Sequence, residues 1–340
     1  MRVELIGSAP AWDAYCDGRP EASIYHRWVW RAVIERVFQH RPYYLAALEG
    51  GSIQGILPLF SVSSRLFGVS LISMPFFTYG GALASSAAAG RALLAEAERL
   101  GRELGVKRIE LRQGAEADLP WKSATPKVTM EIPLPQSPEA YLNRLSAGRR
   151  KKIRQSMRHG WATEWGGLEL LPRFYDIFAT NMRNLGTPVY PQSFFAEQMR
   201  ALPAQIRIML LFDGVRPAAG AFLTSHRDTL ELPWAASLPE SREKASPLFL
   251  YWSIIARAIE EGFQTFDMGR CTKGSGSYEF KTHWAPVERP LHWYHWTPSG
   301  IHGVAASPES RPFRMAAEIW KHMPLAVANR LGPRVVRTLP

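Results

Sequence analysis

Apolar residues alternate with polar ones in two recognisable rhythms along the chain, and the rhythms change at glycine and proline. Between His26 and His40, Trp30, Val33, Ile34 and Val37 recur at helical spacing, and Pro42 ends the run, so this stretch reads as an amphipathic helix. Tyr43 to Leu48 and Ser52 to Val62 are rich in strand formers and meet across Glu49-Gly50-Gly51, a hairpin signal. A strand is expected from Val69 to Met74, ending in the turn Pro75 to Gly81. A helix follows over Ala87 to Leu104, closed by Gly105, and strands at Lys107 to Arg112 and Val128 to Ile132. Ser137 and Pro138 then suit the cap and first position of a new helix.

The second half repeats the order. Helices are expected over Leu171 to Leu185 and Pro191 to Leu202, then a hairpin of Ile206 to Phe212 with Ala218 to Ser225 turning at Asp213-Gly214, and a strand from Thr229 to Ala236. Ala245 to Gly262 reads as a helix with Pro247 in its first turn. Thr265 to Met268 is a short strand, Gly269 to Gly276 a glycine-bearing loop, Tyr278 to Thr282 a short helix, and Leu291 to Trp296 the last strand. The reading is an α+β protein of two units: 1–135, a connecting basic helix at 136–165, a second unit at 166–297, and a basic tail at 298–340. That tail is expected to carry one helical piece at Phe313 to His322 and to fold back on the first unit.

Length agrees with two domains, since 340 residues exceed what one core usually organises. With 46% hydrophobic and 21% charged residues, wholesale disorder is excluded. Cys16 and Cys271 cannot form a disulfide framework or a zinc-binding CxxC pair, which suits a reducing compartment. The segment Met1 to Pro10 has no secretory apolar core, and no run of residues is long and apolar enough to predict a membrane span; a cytoplasmic protein, peripheral at the inner face of a membrane, is the expectation.

The net charge of +11 is concentrated. Arg144 to Arg158 holds seven basic residues and no acid, and Arg311 to Pro340 holds six against Glu318, so the rest is close to neutral. Clustered cations attract phosphates, nucleic acid or acidic lipid headgroups, although a solvated helix face explains either segment equally well.

The stretch Phe266 to Lys281 carries the most chemistry. A strand emptying into a glycine loop and then a helix presents backbone N–H groups suited to anions, and Arg270, Lys273 and Lys281 add cations. Ser275-Gly276 stand where a phosphate-binding NTPase loop needs Lys and Ser/Thr, so an NTPase is rejected. His292 and His295 point to opposite faces of a strand and cannot share a metal; no metal is expected. No GxSxG elbow is present, and Cys271 beside Arg270 reads as an incidental small residue. Trp234 and Trp284, each where an element ends, are candidates to line a cleft.

Leu232-Pro233-Trp234-Ala235-Ala236-Ser237, Arg242 to Pro247 opening a helix, Phe266-Asp267-Met268-Gly269 and Tyr278-Glu279-Phe280-Lys281-Thr282-His283-Trp284 resemble, in order, the motifs of the FemAB family. The glycine loop and Leu331 to Pro333 are similar to the exosortase (PEP-CTERM) and exopolysaccharide-associated branch. The resemblance implies two GNAT-like domains. It also implies transfer of an activated acyl or aminoacyl group to an amine of a cell-envelope, lipid-linked or polysaccharide precursor, with aminoacyl-tRNA or acyl-CoA as co-substrate and no bound cofactor. It implies that Lys281 steadies the oxyanion, with Asp267 and Tyr278 as candidate bases. Arg270, Lys273, Ser275, Gly276, Trp234, Tyr79 and the cations Arg149, Arg150 and Lys152 would contact substrate, the last three drawing in a polyanionic donor or a lipid-linked pyrophosphate; an anionic membrane surface is a further expected partner. Replacement of Lys281 by methionine would then abolish transfer and leave the melting curve unchanged. Against a CoA donor, Arg242 to Pro247 keeps an arginine but lacks the glycines of a GNAT pyrophosphate loop. A non-catalytic polyanion-binding protein is the alternative from another class.

Overall fold

The computed structural model describes residues 1–65, 67–124, 127–300 and 311–339, with the side chains of 312 and 313 aside. The chain opens with strand β1 (Arg2–Leu5) and helix α1 (Ala9–Asp17), neither signalled by periodicity because each is short and interrupted by charge. Helix α2 (Val29–Phe38) buries Trp30, Val33, Ile34 and Phe38, and stops where Gln39 turns left-handed at φ 56. Strands β2 (Arg41–Glu49) and β3 (Ser52–Ser64) form the expected hairpin, with Gly50 and Gly51 at φ 58 and 82. Then come β4 (Gly68–Ile72), β5 (Leu83–Ala84), α3 (Ala87–Glu103), β6 (Arg108–Gln113) and β7 (Lys122–Ala124). Ser86 starts α3 by accepting the Ala89 N–H at 3.2 Å.

The chain continues through β8 (Lys127–Pro133), α4 (Pro138–Arg144), α5 (Ala147–Met157), β9 (Ala162–Gly166), α6 (Leu171–Asn184) and α7 (Gln192–Ala201). Strands β10 (Ile206–Asp213), β11 (Arg216–His226) and β12 (Thr229–Ser237) form a meander. After it come a short α8 (Pro239–Arg242), α9 (Ser246–Glu260), β13 (Thr265–Asp267), β14 (Cys271–Thr272), α10 (Gly276–Thr282), β15 (Val287–Pro290), β16 (His292–Trp296), α11 (Arg311–Lys321) and α12 (Leu325–Val336).

Contacts divide these elements into two units, each built on one mixed sheet. The first sheet runs β1-β2-β3-β4-β6-β16-β7 with β5 beside β3, and the second β14-β8-β13-β12-β11-β10-β9 with β15 beside β8. Among the described pairings each has one parallel pair, β4 with β6 and β12 with β13, and each pair is joined by a long helix, α3 or α9. A parallel pair needs such a crossover, and the helix covers the apolar face it creates. Under α3, Leu57, Leu59, Leu71, Leu93, Ile109 and Leu111 form one core; under α9, Leu230, Leu232, Ile254, Ile255 and Phe266 form another. Burial of each such side chain contributes ~1.5–3 kcal/mol.

Two strands lie in different units from those the linear order suggests. β8 pairs with β13 in the second sheet, and β16 with β6 in the first, whereas the linear reading puts 127–133 before its first boundary and 292–296 before its last. Side-chain complementarity accounts for the exchange: β16 sets His295 opposite Glu110 and Trp293 opposite Arg112, and β8 sets Thr129 where it donates to Asp267. The tail also departs from expectation, because α11 and α12 belong to the second unit. Gly186, at φ 72 beyond α6, lets Ala317 approach, and Gly332 lets α12 pass over Val189 despite Pro333 inside the helix. Part of 298–340 lies outside the described residues.

In the first unit Glu110 and Arg112 form an ion pair at 2.9 Å with both side chains 6% exposed. The Arg112 guanidinium also donates to the Phe77 carbonyl at 3.0 Å and stacks 4.7 Å from the Trp293 ring, while its backbone N–H reaches Ser73 Oγ. Burial alone would raise the Glu110 pKa, but Arg112, Arg108 and His295 together hold it below the ordinary carboxylate value. The stability this gives is present above the unfolded carboxylate pKa and is lost as pH falls through the lower, folded one. Arg112→Met should cost about 3–5 kcal/mol near neutral pH by stranding a buried carboxylate. Urea unfolding at stepwise lower pH should show the gap from wild type narrowing as Glu110 protonates.

Candidate active site

The second unit's parallel pair holds register for three residues, Thr229 with Thr265, Leu230 with Phe266 and Glu231 with Asp267. Beyond that point the strands part. β12 bulges, Leu232 and Pro233 together opposing one residue of β11, and Pro233 has no N–H to give a ladder. β13 leaves at Gly269, whose φ is +74 and where a Cβ would lie 2.7 Å from the Leu232 carbonyl oxygen. Only glycine fits that approach.

Three carboxylates line up at this level. Met130, Ile132, Leu230, Leu232, Phe266 and Met268 enter the core under α9, so Glu131, Glu231 and Asp267, which alternate with them on neighbouring strands, take the opposite face in mutual register. Asp267 is 4% exposed; its Oδ1 accepts from Thr129 Oγ1 at 2.5 Å and from the Gly269 N–H at 2.8 Å. Burial and the neighbouring Asp267 charge raise the Glu131 pKa, opposed by Arg289 at 3.2 Å.

Lys281 reaches this place from α10. Ser275 caps that helix by accepting the Tyr278 N–H at 3.2 Å, and Lys281, near its end, is 4% exposed. Its Nζ donates to the Gly269 carbonyl at 2.6 Å and the Arg270 carbonyl at 3.2 Å. Burial depresses its pKa, as does Arg270, while Cys271, Asp267 and Glu231 favour the ammonium. An ammonium has three donors, so one remains beyond those the two carbonyls take. The arrangement is a fixed, buried cation within the electrostatic reach of Asp267 and Glu231, where two strands diverge.

Other sequence candidates go elsewhere. Lys273 pairs with Glu288 at 2.6 Å, and Tyr278 Oη donates to the same carboxylate at 2.8 Å; that bond raises the Tyr278 pKa and keeps its phenol protonated, unlike a base. Ser275 Oγ serves as a cap and Gly276 opens α10. Trp234 packs among Tyr190, Phe194, Phe195 and Phe222 at ring separations of 5.3–5.9 Å. Trp284 is buried in the core under α9. Arg149 lies 5.3 Å from the Trp284 ring and 5.8 Å from that of Phe280, next to Lys281 in sequence, and burial lowers its pKa. Arg150 donates to the carbonyls of Leu145 and Asn143, and Lys152 is exposed. Tyr79 belongs to the first unit, 6.2 Å from the Tyr25 ring. Cys271 is buried and its thiol pKa raised by burial. Glu231, Glu131 and Thr129 escaped the motif reading; a charged residue between Leu230 and Leu232 in an otherwise apolar strand was the available signal.

At the start of α9, Arg242 donates to Asn181 Oδ1 at 2.5 Å and the Ser237 carbonyl at 3.0 Å. The N–H groups of Leu248 and Phe249 go to the Ala245 carbonyl, and Pro247 has none. Among the described residues, no group of three or more His, Cys, Asp or Glu could hold a metal ion, and no helix is long and apolar enough to cross a membrane.

Residues 147–282 match the family model described as an acetyltransferase (GNAT) domain. Among solved structures, that of FemX is 16% identical with a TM-score of 0.68, covering 86% of this chain and 97% of that one. The structure of L-PGS from Bacillus licheniformis is 12% identical with a TM-score of 0.56, covering 99% of each chain. A tandem GNAT protein from the clavulanic acid biosynthesis pathway is 13% identical with a TM-score of 0.55, covering 89% of this chain and all of that one. No curated protein matches at a significant level. The fold is therefore α+β with two mixed sheets, like tandem GNAT proteins, and the family match falls within the second unit.

Gly269→Ala should destabilise the protein by about 2 kcal/mol or more, through left-handed strain and the clash with the Leu232 carbonyl, read as a lower Tm. Lys281→Met should also lower the Tm, because it leaves two carbonyls without their donor at ~1–3 kcal/mol each. The two hydrogen bonds thus correct the expectation of an unchanged melting curve.

Proposed function

We propose that the chain is an N-acyltransferase or aminoacyltransferase whose second unit carries the reaction centre. Its substrate would be an amine on a cell-envelope, lipid-linked or exopolysaccharide precursor, reached at the cytoplasmic face of a membrane. The observation that carries this reading is the buried Lys281 ammonium, fixed by the Gly269 and Arg270 carbonyls where β12 and β13 part. In such a transfer the amine nitrogen attacks the acyl carbon, the carbonyl oxygen gains charge, the ester or thioester bond breaks and the nitrogen gives up a proton. A preorganised cation beside the oxygen lowers that barrier without rearranging at the moment of reaction. Glu231 and Asp267, in register with each other and within the electrostatic reach of the ammonium, are the groups that would take the proton; Tyr278 is replaced in that role because Glu288 holds it protonated.

The donor reading favours aminoacyl-tRNA over acyl-CoA. A CoA pyrophosphate would need open N–H groups at the start of α9, and there Ala245 already accepts that of Leu248 while Pro247 has none. The exposed cations of α5, among them Lys151, Lys152 and Arg154, suit a polynucleotide, and Arg149 ties that helix to the rings beside Lys281. Incubation with charged tRNA and, separately, acyl-CoA should show loss of the acyl group from the tRNA in the presence of an amine acceptor. Lys281→Met should slow that loss by ~10²–10³. Loss from acyl-CoA alone would replace the donor. Salt-sensitive RNA binding unchanged by Lys281→Met, with no transfer from either donor, would establish the non-catalytic alternative.

A further inference from the structure

Helix α11 exposes more apolar surface than its own unit covers. Met315 and Ile319, four residues apart, lie along one line of the helix, with Ala316 beside it. Met315 is 57% exposed and Ile319 67%. The packed side is a different one: Ala317 sits against Gly186, and the Lys321 carbonyl accepts from Arg183. The border of the apolar line is mostly cationic, its one acid on α11, Glu318, being paired with Lys321. Arg311 and Arg314 are exposed on α11, and α12 adds an exposed face of Val327, Arg330 and Arg334 at spacings of three and four.

We infer that α11 and α12 form a docking surface for an anionic phospholipid bilayer. The two halves of the observation select that occupant. A polynucleotide would neutralise the arginines but leave Met315 and Ile319 in water. A second copy paired about a two-fold axis would cover the apolar line but bring its arginines toward like charges. An acidic lipid surface accepts both, apolar side chains entering the acyl boundary while the guanidinium groups meet phosphates. Scattered single apolar residues mean little, but an exposed i, i+4 pair with a cationic border marks an interaction surface. The inference is independent of the proposed transfer chemistry.

The test is flotation of the full chain with vesicles of phosphatidylglycerol and phosphatidylcholine, and with phosphatidylcholine alone. Binding to the mixed vesicles, weakened by salt and weak on the neutral ones, is expected. The double variant Met315→Ser with Ile319→Ser should reduce the bound fraction's partition coefficient about tenfold or more, with an unchanged Tm because both side chains are exposed. Arg330→Glu with Arg334→Glu should remove the preference for the anionic vesicles. Absence of wild-type flotation, or flotation unaffected by the serine pair, would overturn the inference. A concentration-dependent dimer in light scattering that the serine pair abolishes would also overturn it and assign the face to self-association.

Discussion

The second unit's organisation turns on one hydrogen-bonded cation. Where β13 ends, its chain must bend away from β12 with the carbonyls of Gly269 and Arg270 turned inward, and buried carbonyls need donors. Lys281 supplies both bonds. Asp267 and Glu231 lie within the electrostatic reach of the same ammonium and favour its charged form. Removing any member leaves another exposed to the low dielectric, which is why the strand end, the glycine and the short helix behave as one construction.

The two units solve the same electrostatic problem differently. At the last registered level of each parallel pair, Ile72, Glu110 and His295 lie abreast in the first sheet, as Glu231, Asp267 and Glu131 do in the second. In the first, the balancing cation is Arg112, two residues further along the same strand, so β6 continues straight and the position is filled by a guanidinium stacked on Trp293. In the second, Gly269 stands two residues beyond the acid and the cation arrives from a separate helix. One arrangement closes the level; the other leaves the strands diverging around a fixed charge.

Much of the fold was legible because its elements carry their own boundaries. Gly50-Gly51, Gly105, Ser137 and Gly262 mark turns and caps that work through local geometry, and each stands where the periodicity requires it. Strand exchange was not legible, since pairing of β8 with β13 and β16 with β6 depends on partners more than a hundred residues away. Helix α12 was hidden for a related reason: Gly332 and Pro333 read as a break, yet the glycine serves close packing on Val189. Of the site, Lys281 and Asp267 were visible in a contiguous motif, whereas Glu131 and Glu231 gain meaning only through register across strands. Lys273 misled because a loop lysine announces its charge but not its partner, here Glu288.

The start of α9 bears on which donor the fold can serve. A helix N-terminus attracts phosphate through unpaired N–H groups and the dipole they express. Here Ala245, left-handed at φ 61, folds its carbonyl back onto Leu248 and Phe249, Pro247 removes another donor, and Arg242 is engaged with Asn181 and Ser237. The helix therefore begins with fewer open donors than an uncapped one. Positive charge is instead displayed along α5, whose Ile153 and Ser156 are buried while Lys151, Lys152 and Arg154 face solvent. A row of exposed cations holds an extended chain of phosphates better than a compact pyrophosphate, because each added phosphate releases its own counterions. On this physical ground the charge distribution of the second unit suits an extended polyanion better than a compact pyrophosphate, which is the basis of the donor proposed above.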